Sequence, residues 1–297
     1  MLADRKGEIA TLGSTLFWGS SFIAIKMGLD HIDPIPFAVI RFLFAALFST
    51  IIYFVLKRRL SSSLLKNRLV YVLSLCNALA YLLQNFGIDL TTAIKASLLI
   101  NINLIFVLVI SHFYLKERVT SKKLSAVFIG LIGITLVVTE GNFDLLHSGT
   151  LLGDFIVLGS GLAWACYLVL SRKVIAAGAD IIELNYILMV LTALFLLPSM
   201  AVSHDVVLSM ENMKYILYMA FFCTTIPFLL WTYGLKTISA TTSSVLSIGE
   251  VIFASILSAI ILKESLNAYG ILGAGIIIAA ITLMSFERKR KQPTRDY

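Results

Sequence analysis

Ten apolar stretches of about 20 residues follow one another down this 297-residue chain, with only short polar connections between them. They run approximately over 8–28, 35–56, 69–88, 92–113, 122–140, 151–171, 181–201, 213–235, 240–262 and 268–286. A helix of that length crosses about 30 Å of hydrocarbon and satisfies its own backbone polar groups on the way. The connections carry Gly, Pro, Asp, Asn or basic clusters and leave no room for a soluble domain. Apolar residues make up 59% of the chain and charged residues 14%, against about 25% charged in soluble domains. The expected fold class is therefore an all-α integral membrane protein with ten transmembrane helices.

The lysines and arginines set the expected orientation. With a cytoplasmic N-terminus, 19 of the 24 fall in inner segments, chiefly Lys57 to Arg68, Lys116 to Lys123 and Arg288 to Arg295. Outer loops carry Asp30, Asp33, Asp89, Asp144, Asp205 and Glu211. This positive-inside bias puts both termini in the cytoplasm of a cell membrane, plasma or inner. The net charge of +7 is then a topology signal read by the lipid, and does not point to nucleic acid. The first stretch, flanked by Arg5 and Lys6, leads into a second span instead of a small-residue cleavage site, so it reads as a retained helix.

The chain also repeats itself. Gly7, Gly13, Ser14 and Trp18 return 146 positions later as Gly153, Gly159, Ser160 and Trp164. Further on the offset is 147: Leu82-Leu83, Gly87, Ala93, Ser97 and Leu115-Lys116-Glu117 return as Leu229-Leu230, Gly234, Ala240, Ser244 and Leu262-Lys263-Glu264. Two halves follow, 1–145 and 146–297, with five spans each. An odd span count forces the second half into the membrane upside down, giving two inverted five-helix repeats, an arrangement that secondary transporters use to rock around a central site.

Phe17-Trp18-Gly19-Ser20-Ser21-Phe22-Ile23-Ala24-Ile25-Lys26, then Pro34 and Phe37-Ala38-Val39-Ile40-Arg41-Phe42, resembles the opening two helices of EamA-type members of the drug/metabolite transporter superfamily. Glu117 and Glu264 resemble that family's Glu at the ends of the fourth and ninth spans. The resemblance covers essentially the whole chain. It implies a ten-helix secondary carrier of the inner or plasma membrane, in a family of which many members export amino acids or related metabolites. Where the family often has a proline in the fourth and ninth helices, this chain has Leu104 after Asn103 and Val251 after Glu250, which removes the residue that would kink them.

Helical spacing sorts the polar residues inside spans. Ser14, Trp18 and Ser21 share one face, as do their mates Ser160, Trp164 and Tyr167. Asn77, Tyr81 and Gln84 share a face of the third span, matched in the eighth by Thr224, Phe228 and Trp231. Ser243, Ser247 and Glu250 align in the ninth, opposite Ala96, Ile100 and Asn103 in the fourth. Polar faces turned to lipid are costly, so these should turn inward. The candidate substrate-binding residues are Trp18, Ser21, Asn77, Tyr81, Gln84, Asn103, Trp164, Tyr167, Trp231 and Glu250. Small hydroxyl residues also serve interhelical packing, the favoured reading for Ser14, Ser160, Ser243 and Ser247.

Glu250 is the sharpest of these. An ionisable group at midspan costs about 2.5 to 3.5 kcal/mol on insertion scales, so it needs a partner or a proton. It is expected to bind a substrate amine or carry the coupling proton; the alternative is a protonated Glu bonded to a neighbouring carbonyl or hydroxyl. Glu117 and Glu264 read as interfacial helix-end residues. Arg41 could hold a substrate carboxylate, but its position near a span end favours snorkelling outward toward Asp33 or headgroups. Trp18, Trp164 and Trp231 lie away from the interfacial belts, as core packing or as cavity walls able to face an ammonium. Pro227 removes a helix hydrogen bond and frees the carbonyl one turn earlier, close to Cys223 and Thr224. Gly130 to Gly133 and Gly270 to Gly275 suit close helix contact, and the latter hints at a homodimer.

A membrane-embedded enzyme is the competing class. His31, His112, His147 and His204 sit in loops or at a span end, and no paired nucleophile and base, nucleotide loop or metal-ligand spacing is present. Cys76, Cys166 and Cys223 are too far apart in sequence for a disulfide framework or a metal motif, and read as small core residues. No cofactor is expected. A passive scaffold leaves the paired polar faces unexplained. The expected activity is secondary active transport, most simply proton-coupled export of amino acids or related small metabolites; a multidrug, nucleoside, amine or carboxylate permease is the alternative.

Overall fold

A computed structural model of the chain describes residues 2–28, 33–56, 62–147, 149–202, 210–263 and 266–285. The regular elements among them are helical. They are α1 (Leu2–Gly28), α2 (Pro34–Val55), the short α3 (Ser62–Lys66), α4 (Arg68–Leu90), α5 (Ala93–Asn101), α6 (Asn103–Tyr114) and α7 (Ser121–Thr139). The second half supplies α8 (Leu151–Ala176), α9 (Ile181–Leu196), α10 (Met210–Ala220), α11 (Ile226–Gly234), α12 (Ala240–Ser247), α13 (Gly249–Leu257) and α14 (Ala268–Ser285). Nine helical segments among the described residues are long and apolar enough to cross a membrane. The first helix, α1, is 27 residues long and more polar than these, and is not one of the nine.

Helix starts follow local chemistry. Side-chain oxygens of Asn67, Thr92, Thr120, Thr150, Asp180 and Ser239 accept hydrogen bonds from first-turn N–H groups of α4, α5, α7, α8, α9 and α12. Lys116 and Lys263, repeat mates that end the fourth and ninth spans, both take left-handed backbone with φ of 57°. The chain reverses at equivalent points by the same device.

Two spans differ from the straight helices expected. The fourth breaks at Ile102 into α5 and α6, and the ninth at Ile248 into α12 and α13. No proline is involved. The Asn101 amide donates to the Ser97 carbonyl at 2.8 Å and the Ser247 hydroxyl to the Ser243 carbonyl at 2.9 Å, while Ile105 N and Val251 N reach back only three residues, to Ile102 and Ile248. Side-chain competition for carbonyls tightens one turn and bends the axis. As a result Asn103 and Glu250, repeat mates, each stand in the first turn of a new helix.

The halves are interleaved. α1 packs on α10, α11, α12 and α13, whereas α8 packs on α4, α5 and α6. The first long helix of each half thus lies against the third and fourth spans of the other. α2 packs on its mate α9, and α7 on its mate α14. Glycines permit the closest approaches. A Cβ on Gly234 would stand 2.9 Å from the Gly7 carbonyl oxygen, and one on Gly153 2.7 Å from the Leu90 backbone. Gly133 and Gly273 pack on each other's helices within the chain, a Cβ on Gly273 meeting the Gly133 oxygen at 2.6 Å. The main apolar core lies among α2, α4, α8, α9 and α11, with Phe42, Leu73, Met189 and Phe228 fully enclosed. A second core, with Leu104, Val127, Ile134 and Ile277, joins α6, α7, α12 and α14. Phe54, Phe113, Phe128, Phe155 and Ile271 remain exposed on outer helix faces, as lipid contact requires.

Candidate functional site

Five of the ten candidate residues meet in one aromatic cluster. Trp18 of α1 lies 5.9 Å from the Phe228 ring and 6.3 Å from Trp231, both on α11. Trp164 and Tyr167 of α8 join from the other side: Tyr167 stacks on Trp231 at 5.5 Å and 16°, and Trp164 stands 6.5 Å from Phe228. Tyr81 of α4 meets Trp164 edge-on at 5.2 Å. The spacing of four residues per helix that aligned these side chains in sequence also brings them together in space, because α1 and α8 face each other's partner helices. Phe228, the mate of Tyr81, sits at the centre. Its place on the Thr224, Phe228, Trp231 face was the available signal.

The other candidates divide. Asn77 is fully enclosed and donates to Thr192 of α9 at 3.0 Å, which makes it an interhelical tie. Ser21 donates to the Trp18 carbonyl at 2.6 Å within its own helix. Gln84 and Asn103 are partly buried. Glu250 is likewise partly buried, at the first turn of α13, where its carbonyl oxygen packs against Gly19, next to Trp18. An acidic group at that place is favoured by the helix dipole. Of the hydroxyls assigned to packing, Ser160 crosses to the Ala80 carbonyl at 2.8 Å, while Ser14 donates to Thr11 of its own helix at 2.6 Å.

Arg41 differs from expectation. It does not snorkel outward; it is 7% exposed and turned into the bundle. Its Nε donates to Thr224 Oγ1 at 2.6 Å and its Nη2 to the Cys223 carbonyl at 3.1 Å. That carbonyl is the one Pro227 frees, lying four residues before it, where α10 passes through the π-turn Phe221–Thr225 into α11. Thr224 and Thr225 hydroxyls satisfy the Met219 and Ala220 carbonyls at 2.9 and 2.8 Å. A buried guanidinium with a ready carbonyl has more to gain from this contact than from a long reach to headgroups. Its Cζ also lies 5.5 Å from the Tyr81 ring centroid and 5.7 Å from Phe42.

Glu117 also differs from the interfacial residue expected. It is 5% exposed, accepts from Ala240 N at 2.8 Å and from the Thr241 hydroxyl at 3.2 Å, and pairs with Lys123 at 3.3 Å. Together with the Ser111 to Thr241 hydroxyl contact of 3.1 Å it ties the end of the fourth span to the start of the ninth. Glu264, its mate, lies outside the described residues. On the other side Lys95 pairs with Asp154 at 2.6 Å, joining α5 to α8. Cys76 and Cys166, far apart in sequence, bring their thiols into contact between α4 and α8; all three cysteines are free. Two surface hollows, of about 410 and 370 Å³, are lined by loop and helix-end residues around Asn142 and Asn67 and include no member of the cluster.

An apolar helical bundle whose two halves contribute matching aromatic faces to one interior cluster, with Glu250 the one acid beside it among the described residues, defines a membrane transporter. The sequence profile of the EamA-like transporter family matches the chain twice, over residues 5–139 and 151–286. The chain belongs to that family, and to the drug/metabolite transporter superfamily. An uncharacterized transporter of Archaeoglobus fulgidus is 30% identical over 94% of this chain and 97% of its own length. A probable amino-acid metabolite efflux pump of Escherichia coli K12 is 24% identical over 95% and 96%. One crystal structure superposes with a TM-score of 0.80 over 93% of this chain and 95% of its own, at 15% identity, which speaks for the fold.

Proposed function

We propose that this transporter exports amino acids or related small metabolites in exchange for protons, by alternating access between two inverted five-helix repeats, 1–145 and 146–297. Both termini face the cytoplasm of the cell membrane, in accord with the basic inner segments. The observation that carries the reading is the convergence of Trp18, Tyr81, Trp164, Tyr167 and Trp231 from both halves beside one midspan carboxylate, Glu250. A site shared between halves is covered and uncovered as the halves rock. The aromatic rings offer apolar walls and quadrupole faces to an organic solute or its ammonium. Gln84, Asn103 and Ser21 supply neutral polar groups. Two relatives, 24% and 25% identical, bear the name probable amino-acid metabolite efflux pump, which agrees with this solute class.

Coupling follows from competition for one group. Glu250 holds either a proton or the substrate ammonium, so substrate leaves outward and the proton returns inward on the same carboxylate. Proteoliposomes with an imposed pH gradient test this: labelled amino acid should move against the proton gradient, and collapse of the gradient by an uncoupler should stop it. Flux that ignores the uncoupler and persists in Glu250→Gln would sink proton coupling.

A further inference from the structure

We propose that Arg41, oriented by Thr224 and the Cys223 carbonyl, binds a substrate carboxylate, so that the solute is a zwitterion held between Arg41 and Glu250. This rests on the reading of the aromatic cluster as the substrate site. Arg41 is only 7% exposed, yet among the described residues no carboxylate pairs with it; its partners are neutral, the Thr224 hydroxyl, the Cys223 carbonyl and the Tyr81 hydroxyl. Glu250 is in the converse position, with no ion pair or hydrogen bond to any described residue. Two opposite charges inside a bilayer, each without a counter-charge, are costly to keep unless something arrives to neutralise them.

Tyr81 stands beside Arg41, whose Cζ is 5.5 Å from its ring centroid and which bonds its hydroxyl. The Tyr81 ring also meets Trp164, the wall of the cluster, edge-on at 5.2 Å. Glu250 meets the same cluster at α1, where its carbonyl oxygen packs against Gly19, next to Trp18. A simple cation would neutralise Glu250 and leave Arg41 bare, and a simple anion would neutralise Arg41 and leave Glu250 to its proton. A molecule with an ammonium and a carboxylate neutralises both and links α2 of one half to α13 of the other. The bonds to Thr224 and the π-turn carbonyl hold the guanidinium plane, so its remaining N–H groups are set for the fork geometry that carboxylates match. The carboxylate takes the place that the Tyr81 hydroxyl holds at the guanidinium. At either offset the mate of Arg41 in the second half is apolar, Ile187 or Leu188, so the subsite is single, as one carboxylate requires.

Binding of three related compounds to purified full-length protein separates the possibilities: L-tryptophan, its decarboxylated amine tryptamine, and its deaminated acid indole-3-propionate, each titrated calorimetrically. The wild-type protein should bind the amino acid about tenfold or more tighter than either analogue, as befits a charge-assisted pair. Arg41→Gln should bring the amino acid down to the level of the amine and leave the amine unchanged; Arg41→Lys, which keeps the charge without the fork, should recover part of the difference. Equal binding of amino acid and amine to wild-type protein, or an equal loss of all three in Arg41→Gln, overturns the carboxylate assignment and leaves the cluster reading standing. If none of the three binds wild-type protein, the cluster is not an amino-acid site and both readings fall. The wild-type series needs no variant, so instability of Arg41→Gln does not protect the proposal.

Discussion

Where α1 crosses α11 and where α8 crosses α4, the molecule solves one packing problem twice with matching residues. Gly7 meets Gly234 in the first crossing, and their mates Gly153 and Gly87 meet in the second. Elsewhere the mates part company: Ser21 has Tyr167 as its mate, Gln84 has Trp231 and Asn103 has Glu250. The contrast teaches that duplication is retained where backbones must approach and, if the cluster is the proposed substrate site, relaxed over part of its lining, where only Trp18 and Trp164 still match. Symmetric packing gives two interconvertible arrangements of equal kind. An asymmetric lining lets one asymmetric molecule bind.

The largest effect should come from removing the asymmetry that carries charge. Glu250→Gln makes the ninth span resemble its mate, which has Asn103. Proton-driven flux in vesicles should fall by about 10²-fold, the range for loss of an essential proton-transfer group, while the variant still inserts and folds. Asn103→Gln, the same amide on the symmetric side, should retain most of its flux. Equal losses at both positions would erase the distinction drawn between the two spans.

Next in size is the tie at the span ends. Glu117→Gln leaves Lys123 buried without its counter-charge and weakens the bond to Ala240 N. Breaking such a pair from one side should cost about 3 kcal/mol, visible as a lower melting temperature in detergent. Chemical labelling of Lys123 should rise in parallel. Glu264→Gln measures whether the mate is anchored in the same way: an equal loss would extend the duplication to the span ends.

Much of this was legible in the chain. Apolar length fixed the helices, the i, i+4, i+7 spacing picked five of the cluster residues, and the offset of 146 to 147 located the crossings. What was not legible depends on neighbours that only folding supplies. Arg41 looks like a snorkelling residue until Pro227 and the π-turn place a free carbonyl beside it. Glu117 looks interfacial until the start of α12 arrives to be capped. The breaks at Ile102 and Ile248 carry no proline, and the competing Asn101 and Ser247 side chains are common enough in straight helices to give no warning. Asn77 shares a helical face with Tyr81 but is turned to Thr192, because helical spacing fixes a face and not the partner across it.

The glycine crossings should respond alike. Gly234→Ala and Gly153→Ala each place a Cβ under 3.0 Å from backbone of the facing helix, and at Gly234 the Thr11 hydroxyl lies closer still. Each should destabilise by about 1–3 kcal/mol, the usual cost of overpacking. Thermal unfolding of the two variants side by side checks it. A marked inequality would mean that one crossing carries the packing and the other follows.

The smallest effect separates two serines that the repeat makes equivalent. Ser160 spends its hydroxyl on the Ala80 carbonyl of another helix, whereas Ser14 spends its own on Thr11 within α1. Interhelical bonds in membranes average about 0.6 kcal/mol in double-mutant cycles, so Ser160→Ala should lose about that much. Ser14→Ala removes only a local bond that its helix does not need, and leaves the Thr11 carbonyl to its ordinary backbone partner, so its loss should be smaller. Since Ser14 and Ser160 are both fully enclosed, burial cannot account for a difference between them. A measured difference therefore reports the cross-helix bond alone, and equal losses would show that the two halves use this serine in the same way despite its different partners.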